Sequence, residues 1–160
     1  MKKLLLLSGL LLSLMSNAQW DTHYYVDEFG DRTDNSYDSF VAEGTFSNSA
    51  TRNSKALYKF MHNKKDATVT IRVYEYARHL ATDIESSFIT IKIKTPSKEV
   101  VEIKSVMFSK TGDIYFYKRP YNKLLETLST PGDYIMVFKR NGRYSSGDSY
   151  KAEFTIYEKE

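Results

Sequence analysis

The chain contains no cysteine. That excludes disulfides, a thiolate metal centre, a cysteine nucleophile and an anchor attached through a lipidated cysteine. Proline is rare, at 3 of 160 residues. There is no internal repeat and no low-complexity linker, so nothing marks a domain boundary. The nucleophile-elbow pattern G-x-S-x-G is missing. The histidines, His23, His62 and His79, lie far apart, and each reads as a surface residue. Beyond Met15 no apolar run approaches the roughly 20 residues of a bilayer-spanning helix.

Charge of one sign is also missing. The formal charge of +3 includes Lys2 and Lys3, which belong to an expected leader. Met1-Lys2-Lys3 is a short positive segment, Leu4 to Met15 is mostly apolar, and Ser16-Asn17-Ala18 supplies small residues for cleavage. This order predicts a signal peptide over 1–18 and a single exported domain over 19–160, periplasmic or secreted. Without the leader, 21 basic side chains face 20 acidic ones. No clustered basic segment remains, which argues against nucleic acid as a partner.

What the chain has in quantity is tyrosine, 13 in all, together with β-branched residues. Both favour strands. Period-two alternation, the mark of a half-buried strand, recurs along the chain. Ala56, Tyr58 and Phe60 alternate with Leu57, Lys59 and Met61. Val69, Ile71 and Val73 alternate with Thr68, Thr70 and Arg72. A polar turn at 62–66 makes these two runs a hairpin. Further on, Ile89, Ile91 and Ile93 predict one strand, Val101, Ile103 and Met107 a second, and Phe154 and Ile156 the last. Residues 79–85 read as a loop. Pro120 to Leu128 is the one helical candidate, with Leu124, Leu125 and Leu128 at helical spacing. Eight or nine strands at roughly ten-residue spacing predict an all-β protein, an antiparallel β-sandwich with at most one short helix.

The polar stretch Tyr24 to Ser54 stands apart. It reads as the irregular, turn-rich edge of the sheets, with a first strand over His23 to Phe29, a second short strand around Phe40 and Val41 and a turn at Asp34 to Ser36. Gly44 marks a bulge or a close backbone approach. Asp27, Glu28, Asp31 and Asp34 are candidate oxygen ligands for Ca²⁺, although their spacing is not that of an EF-hand. Their alternative roles are to cap turns or to supply the paired carboxylates of a hydrolase within Asp27 to Asp38. Asn48 and Arg52, in the Gly44–Ser54 segment, are candidates for an anion nest or a sugar site. The competing reading is a polar crossing whose side chains satisfy the backbone. Tyr74 and Tyr76 head a set of outward tyrosines, with Tyr115, Tyr117 and Tyr157, able to stack on a ligand or to pair across strands.

Two resemblances follow from particular strings. Val26-Asp27-Glu28-Phe29-Gly30-Asp31-x-Thr33 and Gly44-Thr45-Phe46-Ser47-Asn48-Ser49-Ala50-Thr51-x-Asn53-Ser54 resemble an uncharacterised family of small bacterial proteins. That resemblance implies no activity and no site residue. Leu128-x-x-Pro131-Gly132-x-Tyr134, followed by alternating apolar residues, resembles the penultimate strand entry of immunoglobulin-like and fibronectin-like sandwiches. It implies architecture, with the tyrosine hydroxyl bonding the preceding loop. The expected function is a non-catalytic binding module for a protein partner or a glycan of the cell envelope. A hydrolase and a structural accessory protein are the alternatives.

Overall fold

A computed structural model describes residues 20–48, 51–76, 78–79, 86–109, 111–140 and 148–158. The expected signal peptide and, apart from His79, the expected loop at 79–85 lie outside the described residues. The elements are β1 (Asp21–Val26), β2 (Arg32–Ser47), β3 (Ser54–Asn63), β4 (Thr68–Glu75), β5 (Arg78–His79), β6 (Ser87–Lys94), β7 (Val100–Phe108), β8 (Ile114–Tyr117), α1 (Arg119–Thr127), β9 (Gly132–Arg140) and β10 (Asp148–Ile156).

Among the described residues all strand pairings are antiparallel, and the fold is all-β with one short helix, as the alternation predicts. The sandwich expectation does not hold. The strands run β2-β10-β9-β6-β7-β8-β4-β3, and β3 pairs back with β2, so eight of them close into a barrel. Inward and outward residues alternate in both architectures, so periodicity does not separate them. The difference is made by β2, which pairs with β3 along Asp38 to Phe46 and, on its other edge, with β10 along Gly44 to Ser47.

The polar stretch is corrected by the same strand. β2 is 16 residues long, and it absorbs both the short strand around Phe40 and the expected turn at Asp34 to Ser36. Its first part, residues 32–37, pairs only with β1. The partners shift between Tyr24–Ser36 and Val26–Arg32, so the four β1 residues 23–26, at about 3.3 Å per residue, make a two-stranded ribbon reaching roughly 13 Å from the barrel rim. Arg32 lies over the Tyr24 ring at 3.2 Å, a cation–π contact that stiffens the ribbon.

An eight-stranded barrel is just wide enough for side chains to fill, and aromatics fill this one. Phe40 stacks on Phe60 at 4.4 Å between ring centroids, Tyr134 on Phe154 at 5.6 Å and Phe138 on Tyr150 at 5.0 Å. The faces assigned by alternation to β4, β6 and β10 are the buried ones, and in β3, where both faces carry apolar residues, it is Ala56, Tyr58 and Phe60 that go inside. β7 departs from expectation. Its partners shift between Ile89–Val106 and Ile91–Ile103, and Ser105 has φ 59°. The extra residue reverses the strand's parity, so Val106 and Phe108 go inside and Met107 is only half-buried.

α1 begins on Arg119 with Pro120 in its first turn, buries Leu124 and packs against β7 and β8. The Tyr134 hydroxyl donates to the carbonyls of Thr130 and Thr127, tying the helix exit to β9.

Candidate functional site

The sequence-derived candidates fall at two ends of β2. At its ribbon end, the Asp27 carboxylate accepts hydrogen bonds from the backbone N–H groups of Phe29 and Asp31, both at 2.9 Å. The Asp27 N–H donates to the Asp31 carbonyl at 2.9 Å. Gly30, at φ 88°, takes the left-handed position the turn requires. Asp27, Glu28, Asp31 and Asp34 are therefore strung along an exposed hairpin. Among the described residues no three histidines, aspartates or glutamates are grouped so as to hold a metal ion.

At the other end of β2, the Asn48 carboxamide oxygen accepts from the Thr51 N–H at 2.7 Å. The Thr51 and Ser54 hydroxyls both donate to Glu75, at 3.0 and 2.6 Å. This polar crossing brings the segment of Asn48 and Arg52 beside the end of β4, which carries Tyr74 and is followed by Tyr76. Arg52 and Tyr76 are exposed, whereas Tyr74 is half-buried and interacts with Arg72. The ribbon acids and these four residues do not converge.

Two buried polar clusters escaped sequence reasoning. In the first, the Arg72 guanidinium forks onto Asp113, Nε to Oδ1 at 2.8 Å and Nη2 to Oδ2 at 2.9 Å. Tyr115 donates to the same carboxylate at 3.2 Å. Asp113 is 2% exposed, and its hydrogen bonds raise the Arg72 pKa further above its ordinary value.

The second cluster corrects the surface assignment of His62, which is the penultimate residue of β3 and is buried. Its Nε2 lies 2.7 Å from the Tyr121 hydroxyl on α1, and Trp20 packs edge-on against it. Burial lowers the imidazole's pKa, and Asp38 only partly offsets this. The ring is therefore neutral at pH 7, and its 3.9 Å approach to Asp38 is not an ion pair there. The Asp38 carboxylate instead takes Lys64 at 2.6 Å and the Thr22 hydroxyl at 2.8 Å. Burial alone would raise its pKa; these two partners bring it below the ordinary value. Both clusters are closed by side chains and act to hold strands, rim and helix together.

An open site lies on the wall across from β2. Counting round the ring, β7 is four strands from β2 in either direction. There the bulge at Ser105, the end of β8 and the start of α1 leave a groove of about 760 Å³. Its floor is aromatic. Phe88 is 65% exposed, and its ring centroid is 6.5 Å from that of Tyr117. Its rim is basic, formed by Lys104, Lys118, Arg119 and Lys123, with Glu102 as the acid. A second hollow shares Phe88, Lys104 and Ser105 and continues the groove to Lys92 and Lys139. Glu102 is occupied by Lys104 at 3.4 Å and Lys92 at 3.9 Å. Among the described residues Lys118, Arg119, Lys123 and Lys139 make no ion pair. Another hollow, of about 400 Å³ beside Pro96, mixes Glu99, Glu102 and Glu126 with Lys123 and carries no comparably exposed aromatic ring.

Lys118, Arg119 and Lys123 come from the short basic stretch that opens α1, while Lys92, Lys104 and Lys139 are brought to it from β6, β7 and β9. The signal that was available is Phe88, which falls on the outward, polar face of an otherwise regular strand. No protein family, curated protein or solved structure matches this chain.

Proposed function

We propose that this protein is an exported, non-catalytic binding module that holds an acidic segment of a protein partner in the groove at Phe88. The carrying observation is the exposed Phe88 ring set among Lys104, Lys118, Arg119 and Lys123. An apolar anchor in a rim where cations outnumber the one acid, Glu102, suits a partner with an aromatic residue between carboxylates. The filled barrel supports the reading, because it leaves the outer wall to do the binding. Export rests on the leader at 1–18.

The test is a fluorescence titration with a labelled peptide, Glu-Glu-Phe-Glu-Glu, against its counterpart Lys-Lys-Phe-Lys-Lys. Polygalacturonate serves as an acidic glycan. Saturable binding of the acidic peptide, weakened by salt and displaced poorly by polygalacturonate, is expected. Equal binding of the two peptides overturns the reading. Binding of polygalacturonate alone replaces the protein partner with an envelope glycan.

A further inference from the structure

From the two opposed walls of the barrel we infer that the partner segment is the ribbon tip of a second copy of this chain. This rests on the acidic-partner reading of the groove and goes beyond it. The tip carries Asp27, Glu28 and Asp31 around Phe29. Phe29, at 82%, is the most exposed large apolar side chain among the described residues. A lone aromatic held out on a turn buries nothing within its own molecule. The groove carries the complementary set, Lys104, Lys118, Arg119 and Lys123 around Phe88 and Tyr117.

Shape agrees with charge. The two Asp27 hydrogen bonds and the left-handed Gly30 hold the tip in one conformation before it binds. A preorganised turn loses little conformational freedom on docking. Neither set can satisfy the other within one chain, because the ribbon rises from β2 and the groove lies on β7, four strands away. Both adjoin the end of the barrel that α1 covers. His62, beside the start of the ribbon, meets Tyr121 on α1, and Arg119 and Lys123 of the same helix line the groove. The contact is heterologous, tip to groove, so each copy offers one of each surface.

Sedimentation of the purified protein over a concentration series, at low and high salt, tests the pairing. Two variants are made, Phe29→Ser and the double change Arg119→Glu with Lys123→Glu. Thermal melting first checks that both remain folded, which their exposure favours. The wild type is expected to exceed the mass of a single chain as concentration rises, and to lose that association in high salt. Each variant alone is expected to remain a single chain. Their equimolar mixture is expected to associate again, because one variant retains the groove and the other retains the tip. A wild type that stays a single chain at all concentrations overturns self-docking. If the acidic peptide still binds that protein, the acidic-partner reading stands, and if it does not, both fall. Association that survives Phe29→Ser, or a mixture that stays monomeric, also overturns the proposal.

Discussion

Gly44 on β2 lies so close to Glu153 on β10 that a Cβ at position 44 would stand 1.8 Å from the Glu153 carbonyl oxygen. The ring of strands closes through this contact. Only a residue without a side chain lets the two backbones approach at this register, where Gly44 pairs with Phe154. The obstruction is backbone, which cannot swing aside. Gly44→Ala is therefore expected to cost at least about 2 kcal/mol, read as a lower urea midpoint. An unchanged midpoint would mean that β2 and β10 separate without loss.

Below pH 7 the His62 cluster should weaken. Burial holds the folded imidazole's pKa below the ordinary value of 6.5. The unfolded chain then takes up a proton that the folded chain refuses, so stability is complete above that value and declines as pH falls through it. The slope can reach about 1.4 kcal/mol per pH unit for one proton. Asp38 acts in a lower window, since its depressed pKa contributes stability above 3.8 that is lost as pH falls further. Urea unfolding at pH 7.5 and 5.5 measures the first effect. His62→Gln should flatten the dependence between those two values, and an equal slope in that variant would assign the titration elsewhere.

Arg72 and Asp113 should behave as a pair. Arg72→Ala leaves a buried carboxylate without its cation and is expected to cost about 3 kcal/mol. This is the lower end of the usual range, because the arginine side chain is 36% exposed. Adding Asp113→Asn removes the stranded charge and should recover part of the loss. A double variant as unstable as the sum of the single ones would show that the two residues act independently.

Phe88 should separate binding from folding. With its ring 65% exposed, Phe88→Ala is expected to shift stability by no more than about 0.5 kcal/mol. The same change should weaken acidic-peptide binding roughly tenfold, the scale of a modest interface anchor. A melting temperature close to wild type with unaltered affinity would remove Phe88 from the site.

Much of the fold was legible in short runs of residues. Alternation identified the inward faces Ile89-Ile91-Ile93 and Phe154-Ile156, and the spacing of Leu124 and Leu128 located α1 to within a residue at each end. The Tyr134 hydroxyl bonds the loop before it within a barrel. Where local pattern misled, a non-local contact had overridden it. The bulge at Ser105 reversed the parity of β7. Of the polar residues at 34–36, turn-like by composition, Ser36 pairs with Tyr24 of β1, and the ladder between the two strands is irregular over 33–35.

The candidate site was less legible. Asp27 and Phe29 could be singled out as part of an unusual acidic string, but nothing local showed that β1 and β2 carry that string clear of the barrel. The groove drew its cations from elements scattered between Lys92 and Lys139. His62 read as a turn residue until α1 and Trp20 covered it.

The sequence by itself determined that the chain alternates in and out along many short strands, punctuated by one helix and several turns. Those properties depend on neighbours two to four residues away. Only the tertiary structure decided that the strands form a closed ring, that the acidic ribbon and the basic groove occupy opposite walls, and that His62 is buried. Alternation states which face of a strand leaves water, not which strand lies beside it. That was settled where Gly44 met Glu153, more than a hundred residues further along the chain.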